Sequence, residues 1–235
     1  MIPSLTTLEQ SATSLARAQE HWAARHHVGT ASQGDQSVRP WTIAITREAG
    51  TDGPAIAKEV AARLGWAHYD RELVEMIARD MGLHASLLDT VDERHRGWLV
   101  EMAEGFSSSR DVSESRYVRH LVETLLSLGA HGHCVVVGRG AAQVLPAEST
   151  LRVRLVGRLE DRIKDARHKL GLAQDAAERW VRDTDKERDQ FVKSHFSKDP
   201  HDAEQFDLIL NTSRWSAAEC VDFIIQALRL AEKKS

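Results

Sequence analysis

Residues 40–70 read PWTIAITREAGTDGPAIAKEVAARLGWAHYD, and this stretch decides the fold. Trp41–Thr46 is a short run of apolar and β-branched residues, which predicts a strand. Gly50-Thr51-Asp52-Gly53 follows as a turn, and Pro54 stands at the first helical position, where its missing N–H costs nothing. Ile56, Val60, Ala61 and Leu64 then recur at helical spacing, and Gly65 stops the helix. Trp66–Tyr69 predicts a second strand, and Asp70 is placed to cap a helix reaching about Arg79. Strand, glycine-rich turn, helix, strand is the repeating unit of a parallel sheet.

The same alternation continues along the chain. About Leu83 to Gly132 is helical in pattern, clearest over Ser113–Leu128, where Tyr117, Leu121, Leu125 and Leu128 form one stripe. Cys134-Val135-Val136-Val137 is a continuous apolar run of the kind buried on both faces. Gly138-Arg139-Gly140 ends it, and a short helix runs to Leu145. Leu151–Val156 predicts a fourth strand ending at Gly157-Arg158, with helices over Leu159–Leu170 and about Ala173–Val192. Phe206–Leu210 predicts the fifth strand, and Ser216 caps a last helix over Ala217–Leu230. The expected architecture is α/β: a three-layer, doubly wound, five-stranded parallel sheet. Ligands of such sheets bind outside the carboxyl ends of the strands. Four of the five expected ends carry polar or glycine-rich punctuation: Arg47–Gly53, Asp70-Arg71, Gly138–Gly140 and Gly157-Arg158.

The 235 residues suffice for one well-buried core. Residues 1–38 are expected to be an N-terminal extension, a short helix within Leu15–Val28 followed by a small, polar linker. Residues 39–235 are expected to be the nucleotide-binding domain. A net charge of −4 argues against nonspecific binding of nucleic acid or anionic membrane. No stretch reaches the roughly 20 apolar residues of a bilayer span. The N-terminus lacks the order of a signal peptide, so the cytoplasm is the expected compartment. Cys134 and Cys220 have no metal or redox spacing and read as small buried hydrophobes. His21, His26 and His27 have no carboxylate or cysteine cluster beside them, so a solvated helix face is expected there and no metal site.

The first turn offers backbone N–H groups and a helix dipole to an anion. It lacks the phosphate-loop pattern G-x-x-x-x-G-K-S/T: the chain has no Gly-Lys pair, and Gly53 falls where the lysine would be. Taken alone, the turn reads equally as a tight link from strand to helix. Arg139 sets a guanidinium at the ligand edge of the sheet, and arginine grips phosphate bidentately. Arg158 and Arg162, one turn apart, precede the charged segment Arg179–Arg188, RWVRDTDKER. Ordinary i,i+3 and i,i+4 pairing accounts for much of that segment, while phosphoryl transfer needs several cations around one developing charge.

Five pieces in order resemble one family: ITREAGTDGPAIAKEVAARLGWAHYDRELV, CVVVGRGAAQVL, LRVRLVGRLEDRIK, VRDTDKERDQF and FDLILNTS. The chain is similar to the cytidylate kinase-like family, relatives of the P-loop nucleoside-monophosphate kinases, over roughly Pro40 to Leu230. The resemblance implies that fold with helical monophosphate-binding and lid insertions. It makes Arg47–Gly53 the phosphate loop, with Arg47, Glu48, Gly50 and Gly53 kept, Thr51 in place of a serine and Asp52 departing from a glycine. Asp70 and Arg71 resemble the segment opening the monophosphate-binding helices. Gly138-Arg139 resembles a G-R-D contact to the acceptor nucleotide, with Gly140 in place of the aspartate. Arg158 and Arg162 lie where the lid begins, and Arg182, Asp185 and Arg188 resemble the lid's two arginines around an aspartate.

The function so implied is phosphoryl transfer from ATP to a pyrimidine monophosphate such as CMP, with Arg139, Arg182 and Arg188 offsetting charge. Mg²⁺ would be held by substrate phosphates and water rather than by a protein cage. The missing lysine, whose charge Arg47 or the lid arginines would have to replace, motivates an alternative: a nucleotide-binding regulator without efficient turnover. Trp22, Trp98 and Phe106 read as core residues, and the competing reading makes them anchors for a protein partner or a second copy on the helical middle.

Overall fold

A computed structural model describes residues 13, 15–23, 40–89, 91 and 112–234. Its elements are a helix over 15–23 (α1), β1 (Thr42–Arg47), α2 (Gly53–Leu64), β2 (Ala67–Tyr69), α3 (Arg71–Arg79) and α4 (Met81–Asp89). There follow α5 (Val112–His131), β3 (Cys134–Val137), α6 (Ala141–Val144), β4 (Thr150–Val156), α7 (Leu159–Leu170), α8 (Gln174–Phe196), β5 (Leu208–Asn211) and α9 (Ala217–Glu232). The five strands form one sheet in the order β2-β3-β1-β4-β5, every pair parallel. β1 is central, with Ile43 opposite Val135 on one side and Leu151 on the other.

Side-chain alternation along the strands divides the core into two layers. Ile43, Ile45, Val135, Val137, Val153 and Leu155 face α2 and α9, where Ile56, Val60, Val221, Ile224 and Leu228 meet them. Ala44, Tyr69, Cys134 and Val136 face the other way, against Leu73, Ile77, Leu121, Leu125 and Leu128 of α3 and α5. Both faces of the sheet are therefore covered, and the continuous apolar runs need no polar face. Cys134 and Cys220 are buried in these layers as small hydrophobes.

Local signals place the ends. Asp70 accepts the Leu73 N–H at 2.8 Å as the cap of α3. Ser216 and Glu219 form a reciprocal capping box at the start of α9. Asp52 takes the left-handed conformation before α2, and Gly65 takes it after. Helix α8 runs one turn beyond the expected stop, to Phe196, because Val192 and Phe196 are buried against the α3–α6 layer.

Helix α1 departs from the solvated face expected around His21. Trp22 is 1% exposed, Ala18 is buried beside it, and both belong to the α3–α5 layer. The Trp22 Nε1–H donates to the Tyr69 hydroxyl at 2.9 Å. His21 joins the same hydroxyl through Nδ1 at 2.9 Å and the Gly132 carbonyl through Nε2 at 3.1 Å. Ala18 and Trp22 share the buried face that helical spacing gives them, and packing against a distant strand end supplies the partners of His21. His26, His27, Trp98 and Phe106 lie outside the described residues. No helix among the described residues is long and apolar enough to cross a membrane.

Candidate functional site

The carboxyl ends of β1, β2 and β3 open on one side of the sheet, and α8 crosses above them. Between them lies a cavity of about 300 Å³. Its walls are Thr46, Arg47 and Glu48 from β1, Arg71 from α3, Gly138-Arg139-Gly140 after β3, and Arg154 from β4. Helix α8 contributes Thr184, Asp185, Glu187, Arg188, Asp189, Phe191 and Val192, and Pro200 and His201 close one end.

Five arginines thus converge from five chain segments. Arg139 sits in a left-handed backbone conformation, φ 50°, with its guanidinium 2.5 Å from Glu75 and 4.6 Å above the Phe191 ring. A non-glycine residue in that conformation stores strain of the kind that collects at functional sites. Arg188 donates from NH1 to the Arg47 carbonyl at 3.0 Å. Arg71 lies 3.3 Å from Glu72. Arg154 is buried, bonded to the Pro200 carbonyl and, at 2.9 Å, to His201.

The electrostatics ask for an anion. Burial, and next the charge of Arg188, hold the Arg47 guanidinium down to about 9, still charged at neutral pH. Burial likewise lowers Arg139 and Arg188. The Nε groups of Arg47, Arg139 and Arg188 are buried and make no hydrogen bond to the protein, while that of Arg71 lies 3.3 Å from a Glu72 carboxylate oxygen. Each unmet donor of this kind costs about 1–3 kcal/mol. A phosphate chain, with several acceptor oxygens, matches the charge of the guanidiniums that line the cavity.

The turn itself is held by carboxylates. Asp185 accepts the Ala49 N–H at 2.7 Å and pairs with Arg162 at 2.5 Å. Glu48 accepts the Gly157 N–H at 3.0 Å and lies 3.3 Å from Arg162. Arg162 also donates to the carbonyls of Gly157 and Ala49, at 2.9 and 3.2 Å, so its guanidinium ties the turn to α7 and α8. Asp52, acidic in an anion-seeking turn, points instead to Lys169 at 2.9 Å.

Of the residues singled out in the sequence, Arg47, Arg71, Arg139, Asp185 and Arg188 meet at the cavity. Arg162 is committed to the turn. Arg182 faces a neighbouring open groove with Lys186 and Lys193, its side chain 59% exposed and paired with Glu178. Arg158 is 73% exposed and paired with Asp161. Asp70 spends its carboxylate on the α3 cap, and Gly50, Thr51 and Gly53 lie behind the cavity wall, Thr51 bonding the Glu48 carbonyl at 2.7 Å. Arg154, Glu75 and Phe191 were not anticipated. Arg154 had a signal: an arginine inside the apolar run LRVRLV is buried with a partner or serves a site. Glu75 and Phe191 had none, being a charged residue and an aromatic on ordinary helical patterns.

Gly140 replaces the expected aspartate because Phe196 occupies the space. A Cβ at Gly140 would overlap the Phe196 ring, and φ is +74°. Gly140→Ala is therefore expected to lose about 2–3 kcal/mol of stability. Chemical denaturation checks this, and a variant as stable as the parent contradicts the packing.

His84, His120 and Glu123 bring ligand atoms within 4.8 Å of one another and could by their chemistry hold a metal ion. None of them lines the cavity, and Arg119 already approaches Glu123 at 3.3 Å.

The model of the cytidylate kinase-like family matches residues 42–214. The crystal structure of an uncharacterized protein from Eubacterium ventriosum superposes with a TM-score of 0.62 at 20% identity, covering 79% of this chain and 96% of that one. A shikimate kinase from Bacteroides thetaiotaomicron gives a TM-score of 0.43 at 14% identity, covering 80% and 98%. A uronate isomerase from Corynebacterium glutamicum is 24% identical over 155 residues, which are 63% of this chain. The chain spans only 29% of the length of that curated relative.

Proposed function

Given that the chain belongs to the cytidylate kinase-like family, we propose that its arginine-lined cavity transfers the γ-phosphoryl group of ATP to a pyrimidine monophosphate such as CMP. The observation that supports this reading is the convergence of Arg47, Arg71, Arg139 and Arg188 on one cavity, three of them, Arg47, Arg139 and Arg188, with a buried Nε lacking a protein acceptor. Phosphoryl transfer requires little covalent chemistry from the protein; positioning and neutralisation of phosphate charge do most of the work. Arg139 and Arg71, at the ends of β3 and β2, would hold the acceptor phosphate. Arg47 and Arg188 would face the group in transfer.

The residues present suit the phosphates of ATP, since Arg47, Arg71, Arg139 and Arg188 line the cavity and guanidinium groups are phosphate ligands by type. The carboxylates beside the turn, Glu48 and Asp185, are engaged by Arg162, which suits Mg²⁺ carried by phosphate oxygens and water. When bound, that ion would supply neutralisation of phosphate charge.

A second reading is a nucleotide-binding regulator without efficient turnover. It is favoured by Gly53 at the lysine position and by Asp185 occupying the Ala49 N–H. Purified protein with CMP, ATP and Mg²⁺ separates the two. CDP formation supports transfer; nucleotide binding by calorimetry with no CDP formed selects the regulator.

A further inference from the structure

We infer that Arg47 occupies the slot of the absent loop lysine, so that the loop's cation has moved from the first turn of α2 to the last residue of β1. The inference rests on a polyanion binding in the cavity, which is the part of the proposed function it needs, and not on turnover.

Two glycines record the path of the Arg47 side chain. Gly53 stands where a phosphate loop carries lysine, and it does not have the left-handed backbone that would itself demand glycine. Space demands it instead. A Cβ there would lie 2.7 Å from Cγ and 2.9 Å from Cβ of Arg47. At the other end, a Cβ on Gly138 would lie 2.5 Å from the Arg47 NH1. The stem of Arg47 therefore crosses the lysine position, and its guanidinium emerges beside Gly138, at the cavity. Arriving there costs desolvation and repulsion from Arg188, and the Nε–H finds no protein acceptor. The slot holds one long cation, and here it is an arginine rooted in the sheet.

Exclusion of one cation by the other makes a double-mutant test with a sign. The probe is inorganic tripolyphosphate, read by titration calorimetry, so neither the base nor turnover enters. Arg47→Ala is expected to weaken binding roughly 10- to 100-fold, the loss of charged hydrogen bonds. Gly53→Lys alone is expected to weaken binding too, because Arg47 fills its space. Combined, the two changes are expected to bind tripolyphosphate at least about 5-fold more tightly than Arg47→Ala alone.

Thermal unfolding separates crowding from misfolding. Gly53→Ala is expected to lower the melting temperature more when Arg47 is present than when position 47 is alanine, where only the Cβ contact at 2.9 Å remains. The inference is overturned by any of four results: no tripolyphosphate binding by the parent protein, Gly53→Lys binding as tightly as the parent, no recovery in the double variant, or a Gly53→Ala effect independent of Arg47. An intact binding cycle with no CDP formed leaves this inference standing and removes only the phosphoryl-transfer reading.

Discussion

Arg188→Ala is expected to lower kcat/KM for CDP formation about 10²- to 10³-fold, while Arg182→Ala lowers it less than about 10-fold. The two arginines lie six residues apart on one helix and look equivalent in the sequence. Their surroundings differ. Arg188 is desolvated, is anchored through NH1 to the Arg47 carbonyl and has a buried Nε–H with no protein acceptor. It also faces Arg47 closely enough to depress that guanidinium. Arg182 is exposed and paired with Glu178, so water and that carboxylate already satisfy it. Removing Arg188 takes a preorganised charge from a low-dielectric site, where such charges act most strongly on a transferring phosphoryl group. Arg188→Lys keeps the charge but loses the planar fork, and an intermediate rate is expected. Steady-state rates for the three variants check the set. Equal losses at positions 182 and 188 would show that Arg182 swings into the cavity during turnover, and the assignment of Arg188 as the principal lid cation would fall.

Trp22→Ala is expected to destabilise the protein by about 3–5 kcal/mol, the usual cost of deleting a buried large aromatic. For a chain of this size the melting temperature should fall by roughly 6–20 °C. Trp22 is 1% exposed within the α3–α5 layer, and its indole N–H is one of two ring nitrogens on the Tyr69 hydroxyl. Burial raises the Tyr69 hydroxyl well above its ordinary range, so it stays protonated throughout physiological pH. Tyr69 in turn immediately precedes Asp70, the cap of α3, and Arg71 in the cavity wall. Loss of Trp22 is therefore expected to loosen that wall as well as the core. Differential scanning calorimetry on the full chain provides the measurement. A variant lacking residues 1–30 that melts at the parent temperature would show that α1 contributes nothing to the fold.

Much of the fold was legible because its signals are local. The Asp70 and Ser216 caps, the Pro54 start and the Gly65 stop depend on neighbours within four residues, and each appears as read, while strand bounds shift by a residue or two, as in β5, which was read as Phe206–Leu210. The apolar run Cys134–Val137 announced a strand covered on both faces, and it lies within the sheet. The site was legible only in part. Arg47, Arg71, Arg139 and Arg188 could be named from strand-end position and charge, but Arg158, Arg162 and Arg182 carry the same signals and do not enter the cavity.

What the chain determines by itself, then, is periodicity, caps and turns: a parallel sheet with cations near its carboxyl edge. Those features are set by backbone sterics and side-chain spacing over a single turn or pleat. Tertiary structure decided which guanidiniums line the cavity, Arg47, Arg71, Arg139, Arg154 and Arg188, and which do not. It also set Trp22, read as a core residue, on the Tyr69 hydroxyl and fitted the stem of Arg47 into the space that Gly53 leaves. The cavity is assembled from segments far apart in the chain, and nothing in local spacing encodes that.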